Sequence, residues 1–165
     1  MTSASLRDVI HGGAGLIAAF LLQAALQRVA APVLLAVNVF AVTVIVFAVL
    51  KGELAGAVMG LACGLVVDSF SLGIFGLAGI ANTVTGYAAG YVSRKINVLL
   101  PSRMVVFIGL MGLLDFSLWV LLTSVFFGQA VPWDRGLVFV QPLLTAVLGT
   151  LTYTLIRKLK ARRDG

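Results

Sequence analysis

The chain has 165 residues, of which 61% are hydrophobic and 11% are charged, and its mean hydropathy is +1.11. A soluble domain has about 45–50% apolar and about 25% charged residues, so the composition excludes an ordinary soluble domain and indicates an all-α integral membrane protein. The formal net charge is +6 at pH 7, but the basic residues gather at the ends of apolar segments, which is typical of a membrane topology signal and not of a nucleic-acid-binding surface.

Long uncharged stretches predict six transmembrane helices, which form a single domain over residues 1–165. Pro32 suits the first turn of the second helix, and Pro101 suits the connection before the fifth. Pro142 lies inside the sixth helix and predicts a kink. The predicted helices cover residues 9–27, 31–50, 53–68, 76–93, 103–127 and 136–157.

The basic residues predict the orientation of these helices. Only Arg28 and Arg135 lie on one side of the six-helix arrangement. The other side carries Arg7, Lys51, Arg94, Lys95, Arg103, Arg157, Lys158, Lys160, Arg162 and Arg163. Because positive charge stays in the cytoplasm, we expect a multi-pass protein with both termini cytoplasmic and a basic tail near anionic membrane lipid.

The third predicted helix carries a stripe of glycines. Gly52, Gly56, Gly60 and Gly64 stand one helical turn apart, and the next step of four reaches Asp68. Lipid provides little hydrophobic drive between helices, so close backbone contact over small residues brings them together. The fourth predicted helix carries its own small and polar face, formed by Asn82, Gly86 and Gly90. We therefore expect two glycine-faced helices.

Between these helices, the segment from Asp68 to Gly76 alternates turn-forming residues with large apolar ones and predicts a structured apolar loop. Asp68 fits a local role, in which it accepts hydrogen bonds from backbone N–H groups of the following turn. It also fits a role in shaping a loop that offers Phe70 and Phe75 to a partner's membrane helix. The two roles are compatible, and plain lipid or core contacts suit both phenylalanines equally well.

Asp115 lies on the fifth predicted helix, twelve positions beyond Arg103. At about 1.5 Å per residue this places it about 18 Å into the bilayer, where a charge is costly and usually functional. One interpretation is a proton or ion relay. The interpretation that we favour is a carboxyl group, ionised or protonated, that is hydrogen-bonded inside the bundle to groups such as Asn82, Thr83 or Tyr87, because no second buried charge accompanies it.

Residues suited to catalysis or to cofactor binding are scarce. His11 is the only histidine, at the start of the first helix, and Cys63 is the only cysteine, among the glycines. No His, Cys and carboxylate residues stand at metal-ligand spacing, and no phosphate-binding glycine motif is present. We expect no catalytic residues, no metal and no cofactor.

A family resemblance follows from the region of the glycine stripe. The chain contains, in this order, the motifs Gly56-x3-Gly60-x3-Gly64-x3-Asp68, Leu72-Gly73, Gly76-Leu77 and Gly86-Tyr87. This pattern resembles the MreD family of rod shape-determining membrane proteins. The chain length, the six predicted helices, the acid in the fifth helix and the basic C-terminus agree with that family, although only residues 52–91 are specific.

The resemblance implies a non-enzymatic scaffold of the cell-elongation complex in a bacterial inner membrane. Such proteins work with the bitopic protein MreC, and through it with MreB, RodA and a penicillin-binding transpeptidase of peptidoglycan synthesis. The implied fold is similar to the substrate-binding subunit of energy-coupling-factor transporters. The residues expected to pack helices or bind a partner are Gly52, Gly56, Gly60, Gly64, Asp68, Phe70, Gly73, Phe75, Gly76, Gly86, Tyr87 and Gly90, with Asn82 and Asp115 as intramembrane polar residues.

Two other functions stay open at this point. A vitamin-binding subunit of an energy-coupling-factor transporter would need a cavity with convergent polar groups, of which the sequence offers few. A proton-coupled channel or transporter centred on Asp115 would lose its pH-dependent flux in the Asp115→Asn variant.

Overall fold

The computed structural model describes residues 6–29, 38–70, 75–96, 101–127 and 137–163. Within these ranges all regular structure is helical, with six helices and no strand, which confirms the all-α prediction. The helices are α1 (Leu6–Val29), α2 (Val39–Lys51), α3 (Glu53–Phe70), α4 (Leu77–Lys95), α5 (Pro101–Phe127) and α6 (Leu137–Arg163).

Among the described helices, only α5 is long and apolar enough to cross a membrane by length and composition. Its apolar segment Arg103–Phe126 has 24 residues and a mean hydropathy of 2.3. That segment reaches about 36 Å, which exceeds the ~30 Å of a hydrocarbon core. Only 28% of its most apolar window is buried, which differs from the enclosed core helix of a soluble protein. Shorter apolar helical segments cover Gly12–Ala25 and Val39–Lys51.

Helix α2 begins at Val39, because the helix predicted over residues 31–50 is interrupted at Asn38. Asn38 has non-helical backbone angles (φ −94°, ψ 87°), and its Oδ1 accepts a hydrogen bond from Ala41 N at 3.0 Å. An asparagine in this N-cap position satisfies a free backbone donor and so starts a helix. Pro32 lies outside the described residues.

Helix α2 lies at the centre of the described fold, because it packs against all five other helices. Its side chains Val44, Ile45 and Ala48 are fully buried. Gly52 separates α2 from α3 with a single non-helical residue of positive φ (100°), which a side chain would strain. The chain therefore turns from α2 into α3 without a loop, which holds α3 close to the centre.

Small residues also bring α5 and α6 together. A Cβ atom built on Gly112 would lie 3.1 Å from the Thr145 side chain, and one built on Gly149 would lie 2.8 Å from Ile108. Glycines therefore line the contact between these two helices. Helix α6 then continues to Arg163, beyond its predicted end at residue 157.

Candidate functional site

The glycines of α3 face the main chain of α4. Gly56 lies opposite Gly86, and Gly60 lies opposite the carbonyl group of Asn82. Gly64 continues the series against Ala78 and Gly79. A Cβ atom on any of the three α3 glycines would collide with main-chain atoms of α4, so the two backbones are in direct contact with no side chain between them.

The glycine stripe is covered within the chain and is not exposed on the surface. Its surface is filled by α4 of the same chain, and Gly90 closes the far end against the main chain of Gly52 and Glu53. The stripe therefore packs two helices of this protein together. Another helix therefore has no access to Gly56, Gly60 or Gly64.

Asp68, near the end of α3, binds the N-terminal end of α4. Its Oδ2 accepts hydrogen bonds from Gly76 N and Gly79 N, and its Oδ1 accepts one from Ala78 N, each at 3.0 Å. Gly76 has a positive φ of 108°, which glycine adopts without strain. A carboxylate at a helix N-terminus satisfies free N–H groups and favours the helix dipole. Asp68 thus takes the local role, as a cap on α4.

An exposed ion pair lies where α3 begins beside the end of α4. Arg94 Nη1 lies 3.2 Å from Glu53 Oε2, and Arg94 Nη2 donates to the Lys51 carbonyl oxygen at 3.4 Å. The guanidinium group covers Gly52, where a Cβ atom would collide with it. Because the Arg94 side chain is 61% exposed, this pair contributes little free energy, of the order of 0–1 kcal/mol.

The side of the α3–α4 pair that faces away from α2 is apolar and exposed. On α4, Tyr87 and Tyr91 stack with their ring centroids 6.2 Å apart, and Lys95 Nζ lies 4.3 Å above the Tyr91 ring. We call this surface the outer α3–α4 face; it consists of Leu54, Val58, Leu61, Ile80, Val84, Tyr87 and Tyr91. Phe75 is exposed in the turn before α4, whereas Gly73 and the Phe70 side chain lie outside the described residues.

Asp115 is buried, as expected, but its neighbours differ from those predicted. Asn38 Nδ2 donates a hydrogen bond to Asp115 Oδ2 at 3.4 Å, and Thr85 faces the same carboxyl group. The prediction of hydrogen bonds to Asn82, Thr83 or Tyr87 is therefore wrong. The Thr83 hydroxyl instead donates to Gly79 O on its own helix, and Tyr87 is exposed.

We call Asn38, Asn82, Thr85 and Asp115 the buried polar cluster. Asn82 and Thr85 stand three residues apart on α4, a spacing that places them on one face of the helix. The Asn82 amide donates to Ala78 O. Asn82 Oδ1, Thr85 Oγ1 and Asp115 Oδ1 are buried without a hydrogen-bond partner, so Thr85 and Asp115 approach each other without forming a well-aligned bond.

The prediction from sequence missed two elements of this site. Asn38 was detectable, because an asparagine directly before an apolar helical run is an N-cap signal. The contact of α5 with α6 had a weaker signal, the spacing of Gly109 and Gly112 on one helix and of Ala146 and Gly149 on the other.

The described part of the chain contains no group of three or more His, Cys, Asp or Glu side chains that could hold a metal ion. Comparisons with known protein families, with curated proteins and with solved structures gave no match to this chain.

Proposed function

We propose that this protein is a multi-pass membrane scaffold of the MreD type, with six transmembrane helices and both termini cytoplasmic, that binds the transmembrane segment of MreC in the inner membrane of a rod-shaped bacterium. The observation that carries the proposal is the α3–α4 pair, which is locked by backbone contacts and presents an exposed apolar face. The motif resemblance of residues 52–91 supplies the identity of the partner.

The distribution of residues between interior and surface supports insertion in a membrane. The interior at the α3–α4 contact consists of glycine, alanine, asparagine and threonine, whereas large apolar side chains point outward from the other helices. Those side chains include Ile17 and Leu21 on α1, Val106, Leu110 and Leu121 on α5, and Leu143, Val147, Leu151 and Leu155 on α6. Soluble proteins rarely expose contiguous apolar surface of this extent, which suits lipid or a partner's membrane helix.

Hydroxyl groups on α6 support the same environment. Thr152 and Thr154 are exposed, yet their hydroxyls donate to the carbonyl oxygens of Leu148 and Thr150 on the same helix. A threonine surrounded by hydrocarbon satisfies its hydroxyl in this way, because no water is available there.

The outer α3–α4 face is the surface that we assign to MreC. Since α2 packs against one side of the pair, the opposite side remains for a helix outside the described chain. Val58 is 64% exposed there, and Tyr87 and Tyr91 supply stacked rings. Aromatic side chains bury large areas at modest entropic cost and dominate many interfaces. A rigid pair also loses little conformational freedom when a helix docks on it.

A bulky substitution on this face tests the assignment. We expect Val58→Trp to lower the amount of MreC that copurifies in detergent about tenfold, equal to about 1.4 kcal/mol, because the larger side chain separates the two surfaces. The matched control is Val106→Trp on α5, since Val106 is 61% exposed but lies away from the face. Size-exclusion chromatography checks that both variants stay folded. Equal recovery of MreC with both variants would contradict the assignment.

The cellular role is tested by depleting the protein and scoring cell shape. We expect rods to become spheres on depletion. Wild-type protein and Val106→Trp are expected to restore the rod shape, whereas Val58→Trp is expected not to restore it.

The alternative function, a vitamin-binding subunit, draws support from the unpartnered oxygens of the buried polar cluster. It predicts saturable binding of a radiolabelled vitamin to the purified protein and unchanged cell shape on depletion.

A further inference from the structure

The buried polar cluster lacks positive charge. Asp115 is only 4% exposed, and its one hydrogen bond comes from the neutral Asn38 amide at 3.4 Å, beyond the usual range for such bonds. Among the described residues no basic side chain pairs with it. A buried carboxylate without a charged or well-bonded partner is strongly destabilising. The carboxyl group therefore either takes up a proton or needs a cation beside it.

The types of the unpartnered atoms in the cluster favour a cation. Asp115 Oδ1, Thr85 Oγ1 and Asn82 Oδ1 are all oxygens, on side chains that are more than nine-tenths buried. Thr85 faces Asp115, and Asn82 lies one turn away on the same side of α4. A carboxylate, a hydroxyl and an amide oxygen form a ligand set for a hard cation, whereas transition metals favour nitrogen and sulfur ligands.

We propose that the buried polar cluster binds one monovalent cation of the size of Na⁺, with Asp115, Thr85 and Asn82 as its ligands. A single carboxylate balances one positive charge, whereas Ca²⁺ and Mg²⁺ sites gather more oxygens or carry several waters. Asn38 places Asp115 beside the N-terminus of α2, whose dipole favours the ionised carboxylate that a cation requires.

A bound cation would join α4 to α5 at the point where α2 begins. Because it binds the folded protein and not the unfolded chain, Na⁺ would raise the thermal stability in a saturable way. This inference rests on the buried polar cluster alone and is independent of MreC binding, so either proposal can fail without the other.

The test is thermal unfolding of the purified protein in detergent, in NaCl and in choline chloride at equal ionic strength. We expect NaCl to raise the unfolding midpoint by about 5–10 °C at saturation. Asp115→Asn removes the charged ligand and is expected to abolish the Na⁺ dependence. Thr85→Val removes one neutral ligand and is expected to shift the half-saturating Na⁺ concentration upward at least about tenfold, the effect of losing ~1.4 kcal/mol of binding free energy.

The matched control is Thr83→Val, because the Thr83 hydroxyl bonds to Gly79 O outside the cluster. This variant is expected to keep the wild-type Na⁺ dependence. Identical wild-type midpoints in both salts would overturn the proposal and leave a proton or a water molecule as the occupant. Equal Na⁺ dependence in Thr85→Val and Thr83→Val would also overturn it. The comparison of these two threonine variants tests Na⁺ binding by the cluster even if Asp115→Asn does not fold.

Discussion

Replacing Gly60 by leucine is expected to separate α3 from α4 and to cause a large loss of stability. Any side chain at this position collides with the main chain of Asn82 and Thr83, which cannot move aside as a flexible side chain would. Overpacking of a core costs about 1–3 kcal/mol, and a clash with main chain lies at or above the upper end. We expect the thermal midpoint to fall by roughly 6–12 °C.

The measurement is thermal unfolding in detergent, with the fraction of protein that stays monodisperse as the readout. Gly64→Leu is expected to behave in the same way, because Gly64 faces Ala78 and Gly79 equally closely. Leu61→Ile is the matched control, since Leu61 is exposed on the same helix. If all three variants unfold at the wild-type temperature, the backbone contact does not hold the pair together. If the protein binds MreC as proposed, the glycine variants would lose that binding because the helix pair is lost, since the glycines themselves are covered by α4.

The second large effect is expected for Asp68→Ala, which leaves three backbone N–H groups at the start of α4 without their acceptor. Capping interactions contribute about 0.5–2 kcal/mol, and hydrogen bonds to a charged group about 1.5–3 kcal/mol. Because Asp68 is only 6% exposed, water cannot fully replace the carboxylate. We expect a loss of about 3 kcal/mol in the free energy of unfolding, which corresponds to roughly 6–12 °C in the thermal midpoint.

Two further variants at this end of the pair make the experiment specific. Asp68→Asn keeps the size of the side chain but turns an NH₂ group toward an N–H donor, so we expect a smaller but clear loss of stability. Ser69→Ala is the control, because the Ser69 hydroxyl is exposed and bonds only to Leu65 O within α3. If the unfolding midpoint of Asp68→Ala equals that of Ser69→Ala, the cap does not contribute to the stability of the protein.

The helices and the small-residue face of α3 were accessible from the sequence for physical reasons. Uncharged runs bounded by basic residues are a one-dimensional signal, and glycines at every fourth position must share one helix face. The sequence also indicated that Asp68 would bind the following turn. It did not indicate that α4 fills the stripe, because a glycine face attracts a helix of the same chain and one of a partner in the same way.

The neighbours of Asp115 were harder to predict, because they depend on where α2 starts. With a helix predicted from residue 31, Asn38 would lie within the second turn, its side chain unavailable as a cap. Its non-helical backbone instead leaves the amide group free to reach Asp115 across 77 positions of sequence. Long-range polar contacts of this kind depend on the tertiary arrangement, which periodicity and composition do not encode.

The contact of α3 with α4 has a consequence for biogenesis. The two helices are neighbours in the chain, and their union requires neither a distant segment nor the ordering of long side chains, so its entropic cost is small. We expect the two to associate as a hairpin soon after Gly90 has been synthesised, before α5 and α6 exist. The later helices would then assemble on a template that has already formed.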